Sequence, residues 1–214
     1  MTAPHTLSAK QQSLVAISAF TANGRQDKLK AALDAGLGAG LSVNETKEVL
    51  VQLYAYAGFP RSLNALTTLM GLLKEREARG IHDPAGKEAS PLPADRSSLE
   101  LGTENQTKLA GKPVTGELYT FAPLADQFLK AHLFGDIFAR DVLDFQTREL
   151  ATVAALASLG GVNSQLSSHY TLAMNTGVTR EQLQDLVAVI GEQVGPGEGQ
   201  NAGEVLAQVL SGAK

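Results

Sequence analysis

The 214-residue sequence contains no cysteine. That removes disulfides, thiolate metal sites and every thiol nucleophile or redox couple at once. Apolar runs of membrane-spanning length are missing too, and the opening MTAPHTLSAKQQ lacks a basic region followed by an apolar one. The expectation is a cytoplasmic protein that does not enter a membrane, with an exported form already trimmed of its signal as the alternative. Excess charge is also scarce: a net charge of −4 leaves no basic footprint for nucleic acid. The four histidines show no HxxxH or HxxE spacing, so no metal site is expected, and His5 and His82 fall in segments read as irregular. The glycine-rich GPGEGQ follows a helical pattern rather than a strand, which argues against a phosphate loop.

What is present is a repeat. Sliding the chain by 137 residues without gaps lays Gly24 on Gly161, Leu29 on Leu166, Gly40 on Gly177 and Gly58 on Gly195. Asn64 and Ala65 fall on Asn201 and Ala202 in the same register. AGLSVNET and TGVTREQL also agree in type, each with a glycine at a helix end, then Ser42 or Thr179 as N-cap, then acidic residues. A gapless run with equivalent caps points to a tandem duplication.

Each copy reads as helices. In the first, the spacing predicts helices over 9–22, 26–39, 43–57 and 60–77; in the second, over 145–159, 164–175, 180–194 and 199–210. Leu183, Leu186, Val187 and Ile190 form one amphipathic stripe, and no useful length alternates with period two. The fold class is all-α, with a first repeat at 8–77, an irregular linker arm at 78–117 rich in Pro, Gly and Ser, and a second repeat at 118–214 that begins with one or two short helices before residue 144. The arm is expected to run over the surface or onto a neighbouring subunit.

Two residues stand out in RELATVAALASLGGVNSQLSSH. His169 is spaced three from Leu166 and Leu172, and Glu149 four from Val153, so each lies on an apolar face. Across a helical hairpin, a half-buried carboxylate holding an imidazole is a common arrangement for proton transfer. At 1.5 Å per residue the two sit at about the same level, with direct contact requiring a steep crossing or a bridging water. Asp34, Glu45 and Glu48 read as solvated faces, and His132 as packing.

FGDIFARDVLDFQTRELATVAALASLGG, with the later QL, H and NTGVT, and the first-repeat stretch QLYAYAGFPRSLNAL, resembles the carboxymuconolactone decarboxylase family, in particular its two-repeat members. The resemblance implies an alkylhydroperoxidase D-like helical domain in tandem, assembly as trimers of two-repeat chains, and cofactor-free chemistry. In the branch similar to alkylhydroperoxidase D, a Cys-x-x-Cys pair works with a Glu and a His; here Val162 and Gln165 hold the thiol places while Glu149 and His169 remain. The other branch decarboxylates 4-carboxymuconolactone, which needs a general acid and donors for carboxylate and oxyanion, but no thiol. On that reading His169 is the proton donor oriented by Glu149, and Arg148 or Arg61 binds a carboxylate.

The copies have diverged unequally. The first has Gln12 in the place of Glu149 and Ala32 in that of His169. One pocket per chain is therefore expected, lined by Glu149, His169 and Asn175, with Tyr54, Tyr56, Arg61 and Asn64 from the first repeat or a neighbouring chain. The leading expectation is a lyase acting on a small lactone or cyclic carboxylate. The alternative is an oligomeric scaffold or binding protein that kept the fold without the chemistry.

Overall fold

A computed structural model describes residues 6–212, so His5 and the last two residues of the second repeat lie outside it. The described chain is helical, with no strand. The first copy comprises α1 (Ala9–Asn23), α2 (Gln26–Gly38), α3 (Val43–Gln52), the single turn α4 (Tyr54–Ala57) and α5 (Phe59–Ala78). Between the copies come α6 (Ser98–Ala110), α7 (Glu117–Phe121), α8 (Pro123–Phe128) and a π-helical segment, Leu129–Ile137. The second copy comprises α9 (Phe145–Ser158), α10 (Asn163–Asn175), α11 (Arg180–Val189), a π-helical turn Ile190–Val194 and α12 (Pro196–Ser211).

The duplication is visible in the helix ends. Both boundaries of α2 and α10, and both of α3 and α11, differ by the same 137 residues. Identical local chemistry causes this: Ser42 and Thr179 each close a capping box onto their helix's third residue, satisfying otherwise orphaned N–H groups. The preceding Gly40 and Gly177 take left-handed φ values of 95° and 97°, which release the chain from α2 and α10.

The first helix of each copy forms the centre. α1 packs along α9, and both are buried on all sides over long stretches, Leu14 to Ala22 and Arg148 to Ala157. Helices buried all round form a core even though these carry a few polar side chains, and the alanines of α9 let its neighbours approach closely. The remaining helices shield this pair. A second, smaller cluster of Leu109, Leu133, Phe134, Ile137 and Phe138 lies under α6.

The segment read as irregular contains a helix. α6 opens on a capping box between Ser97 and Glu100 and buries Leu101, Gln106 and Leu109. The glycine in its middle disguised it, yet that glycine is what lets it dock. A Cβ on Gly102 would stand 1.7 Å from the Lys130 carbonyl oxygen, and one on Gly135 would stand 2.1 Å from that of Ser98. α6 and the π-helical segment thus meet backbone to backbone.

Ahead of α6 the chain runs over the surface. The N–H groups of Val43 and Asn44 donate to the carbonyls of Pro84 and Ala85 at 3.0 and 2.9 Å. Asp141 then holds the arm, accepting from Lys87 Nζ and from the Ser90 N–H and hydroxyl. Those bonds, Lys87 first, keep the Asp141 carboxyl far below the ordinary carboxylate range. A depressed folded value means the tether is fully present above the unfolded pKa of about 4 and is lost only as pH falls well below it. At neutral pH, Asp141→Asn should therefore expose residues 81–97 to limited proteolysis several times faster than in the parent. Equal cleavage rates would show that the backbone pairing to α3 holds the arm alone.

Candidate active site

Glu149 lies in the second turn of α9, which starts where the Asp144 side chain caps the Thr147 N–H at 2.8 Å. His169 lies midway along α10. Glu149 Oε2 accepts from His169 Nδ1 at 2.7 Å, a direct contact with no bridging water required. The carboxylate is fully buried and its Oε1 has no partner, while the imidazole side chain keeps 11% of its surface exposed. With Nδ1–H donated to the carboxylate, Nε2 is the ring atom left for chemistry: an acceptor in the neutral ring, a donor in the imidazolium. Among the described residues it has no hydrogen-bond partner.

The first repeat covers this pair. Tyr56, on α4, sets its ring edge-on against His169 with centroids 5.6 Å apart. Its hydroxyl is buried near Thr152 but outside hydrogen-bond geometry. Burial, then the negative charge of Glu149, pushes the phenol far above its ordinary value, so it stays protonated.

Behind Glu149 lies a buried polar network between the repeats. Arg148 is fully buried, donating from Nη1 to Gln52 Oε1 and from Nη2 to Glu48 Oε1 and the Arg140 carbonyl, each at 2.8 Å. Gln52 returns a bond to the Arg148 carbonyl and another to Thr152 Oγ1. Glu48, expected on a solvated face, is therefore buried: α3 turns that face onto α9, and Arg148 and Arg140 compensate the charge. The duplication echoes this, since Asp185, one repeat later than Glu48, accepts from the Leu7 N–H at 2.7 Å ahead of α1.

The other expected ligand residues are dispersed. Asn175 donates from Nδ2 to the Leu109 carbonyl at the end of α6, at 2.8 Å. Arg61 lies against the Gly24 turn, with Nη1 buried and unpartnered. Asn64 is exposed on α5, and Tyr54 turns to His132 rather than His169. Thus the structure brings together Glu149, His169 and Tyr56, with Arg148 supporting them from behind. Sequence reasoning missed Glu48 and Gln52, whose i, i+4 spacing on α3 was a readable sign of a shared face, and His132 with Asp136, spaced the same way. Among the described residues, no group of three or more His, Asp or Glu is arranged to hold a metal ion.

A family model described as the carboxymuconolactone decarboxylase family matches residues 1–69 and 123–202, together more than half the chain. The chain belongs to the carboxymuconolactone decarboxylase family. The two matched segments of this family each fall on most of one repeat, and the stretch between them holds the arm, α6 and α7. Tyr56 falls in the first segment, Glu149 and His169 in the second, so the site joins the two family modules. A curated relative, the 4-carboxymuconolactone decarboxylase of Acinetobacter baylyi, is 28% identical over 97 residues, covering 44% of this chain and 72% of the relative.

Proposed function

We propose that the chain is a cofactor-free, carboxymuconolactone decarboxylase-like lyase acting on a small lactone or cyclic carboxylate through Glu149 and His169. The buried 2.7 Å contact between them carries the reading. When the substrate's carboxylate leaves as CO2, its bonding electrons pass into the ring system toward the lactone carbonyl, and a proton must return to carbon. His169 Nε2–H supplies that proton from the imidazolium, which Glu149 stabilises, and the ring regains its proton from solvent. Arg148 holds the α9 turn that bears Glu149. Without cysteine, thiol-based peroxide reduction is no part of the proposal.

One observation favours the scaffold alternative. Tyr56 closes over His169, and the open groove bordered by Lys108, Phe145 and Asn175 is lined by neither Glu149 nor His169. Turnover of 4-carboxymuconolactone, followed by CO2 release, separates the two readings. Catalysis by the parent chain supports the lyase. Absent turnover in a correctly assembled protein supports the scaffold.

The proposal includes a homo-oligomer. Leu118, Phe121, Leu124 and Phe128 on α7 and α8 are 64–87% exposed, and Leu63 and Met70 on α5 are 55–56% exposed. Apolar surface of this extent favours association with further copies. Pairing Phe121→Asp with Phe128→Asp should shift the species seen by light scattering to single chains; an unchanged mass would place the interface elsewhere. No helix among the described residues is long and apolar enough to cross a membrane.

A further inference from the structure

The turn α4 carries two tyrosines, and each meets a histidine backed by a carboxylate. Tyr56 meets His169 and Glu149. Tyr54 is hydrogen-bonded through its hydroxyl to His132 Nε2, with ring centroids 5.6 Å apart. His132 Nδ1 lies 2.8 Å from Asp136 Oδ2, and Asp136 Oδ1 accepts from the Ser98 hydroxyl. In the first trio Glu149 and His169 are buried, whereas the second is open: the His132 and Asp136 side chains are 50% and 45% exposed. Phe59 stacks flat on Tyr54 at 4.2 Å and 9°, making an exposed aromatic ledge beside the relay.

We propose that Asp136, His132 and Tyr54 form a second acid–base station, a surface relay that accepts the hydroxyl proton of a small planar phenol or enol. Asp136 takes the Nδ1–H, which leaves Nε2 of the neutral ring as an acceptor and makes the Tyr54 O–H its donor. The Tyr54 oxygen then keeps a lone pair that can accept from a ligand hydroxyl. As the ligand's proton moves to Tyr54, the tyrosine's own proton passes to His132 Nε2. The ligand is left as an oxyanion and the imidazolium is held by Asp136; one O–H bond breaks and one N–H bond forms. The Tyr54–Phe59 ledge suits a flat, unsaturated ring.

The surroundings agree with a base. Burial opposes it, but hydrogen bonds from Ser98 and His132 hold the Asp136 carboxyl below its ordinary range, so it stays charged. Burial, then the Asp136 charge, raises the Tyr54 phenol, so the tyrosine conducts a proton and does not lose one to solvent. Lys130, on the same segment as His132, is engaged by Asp126 of α8 at 2.6 Å and lies over the Tyr119 ring of α7. α6 meets the relay through Ser98, while its Glu100, Glu104 and Lys108 line a separate open groove. The inference needs neither turnover nor the His169 pair.

The probe is 4-nitrophenol, whose phenolate alone absorbs strongly in the visible, added to the full chain at a pH where both its forms are present. Binding to the relay should produce a saturable gain in phenolate, equivalent to a fall of about one unit in the probe's ionisation midpoint. Tyr54→Phe, which keeps the stacked ring, and Asp136→Asn should each abolish the gain with the circular dichroism unchanged, while His169→Ala keeps it. Adsorption on apolar surface would instead suppress the phenolate. No gain with the parent chain, a gain surviving in both relay variants, or its loss in His169→Ala would each overturn the proposal.

Discussion

Replacing Arg148 with methionine should lower the unfolding midpoint by roughly 6–12 °C, the largest stability effect expected of any single polar substitution in this fold. The side chain is fully buried and spends three hydrogen bonds on Gln52, Glu48 and the Arg140 carbonyl, with its guanidinium 5.5 Å from the centre of the Phe138 ring. Burial pulls its pKa below the ordinary arginine value against the pull of Glu48, a sign that desolvation is being compensated rather than avoided. Removing one partner of a buried pair costs about 3–5 kcal/mol because the other charge stays behind. Arg140 still reaches Glu48 at 2.9 Å, from a side chain 42% exposed, which places the loss near about 3 kcal/mol. In a chain of this size each kcal/mol moves the midpoint by about 2–4 °C.

The double variant Arg148→Met, Glu48→Met tests the cause. If the penalty is the stranded Glu48 charge, removing it as well should recover most of the midpoint, since apolar replacement of a whole buried pair is often neutral. Arg148→Lys should recover little, because an ammonium cannot span Gln52, Glu48 and a carbonyl with a planar fork. A midpoint within about 2 °C of the parent in the single variant would show that apolar packing of α1 on α9, and not this network, joins the repeats.

The helices of both repeats were legible because short-range chemistry punctuates them. Ser42, Thr179, Gly40 and Gly177 act within a few residues of themselves, and the structure uses each as an N-cap or a helix exit. α6 was illegible for a reason outside its own sequence. Gly102 reads as a helix breaker until the carbonyl of Lys130 is known to lie against it. The arm's other turns, set by pairing to α3 and Asp141, were equally hidden.

The candidate site divides along the same line. That Glu149 and His169 share a hairpin followed from the apolar spacing around each, but their direct contact depended on how closely α9 and α10 pack. Tyr56 was named from its motif, and its position against His169 follows from α4 of one repeat lying on α9 of the other. Glu48 was misread because a charged residue at helical spacing says nothing of a buried arginine 100 positions away. Tyr54 and His132, 78 residues apart, carry no local sign of each other at all.

The largest functional effect is expected at His169. In turnover of 4-carboxymuconolactone, His169→Gln should lower kcat by about 10²–10⁴-fold, the usual contribution of a positioned proton donor, while KM changes little. Glutamine keeps a polar group of similar reach beside Glu149, so loss of fold is a poor explanation if thermal melting is unchanged. Glu149→Gln should cost less. Its amide oxygen still accepts from Nδ1 and holds the ring, but the negative charge that stabilises the imidazolium is gone, and Oε1, already unpartnered, gives the new amide nitrogen no ready acceptor. The expected order is therefore parent, then Glu149→Gln, then His169→Gln, with both losses in kcat. Tyr56→Phe separates a lid from a ligand: its hydroxyl has no protein partner, so stability should hold, and a rise in KM would mean that the phenol meets substrate once the ring swings aside. If His169→Gln turns over substrate within about threefold of the parent, His169 is not the donor, and its bond to Glu149 is a buried strut between α9 and α10.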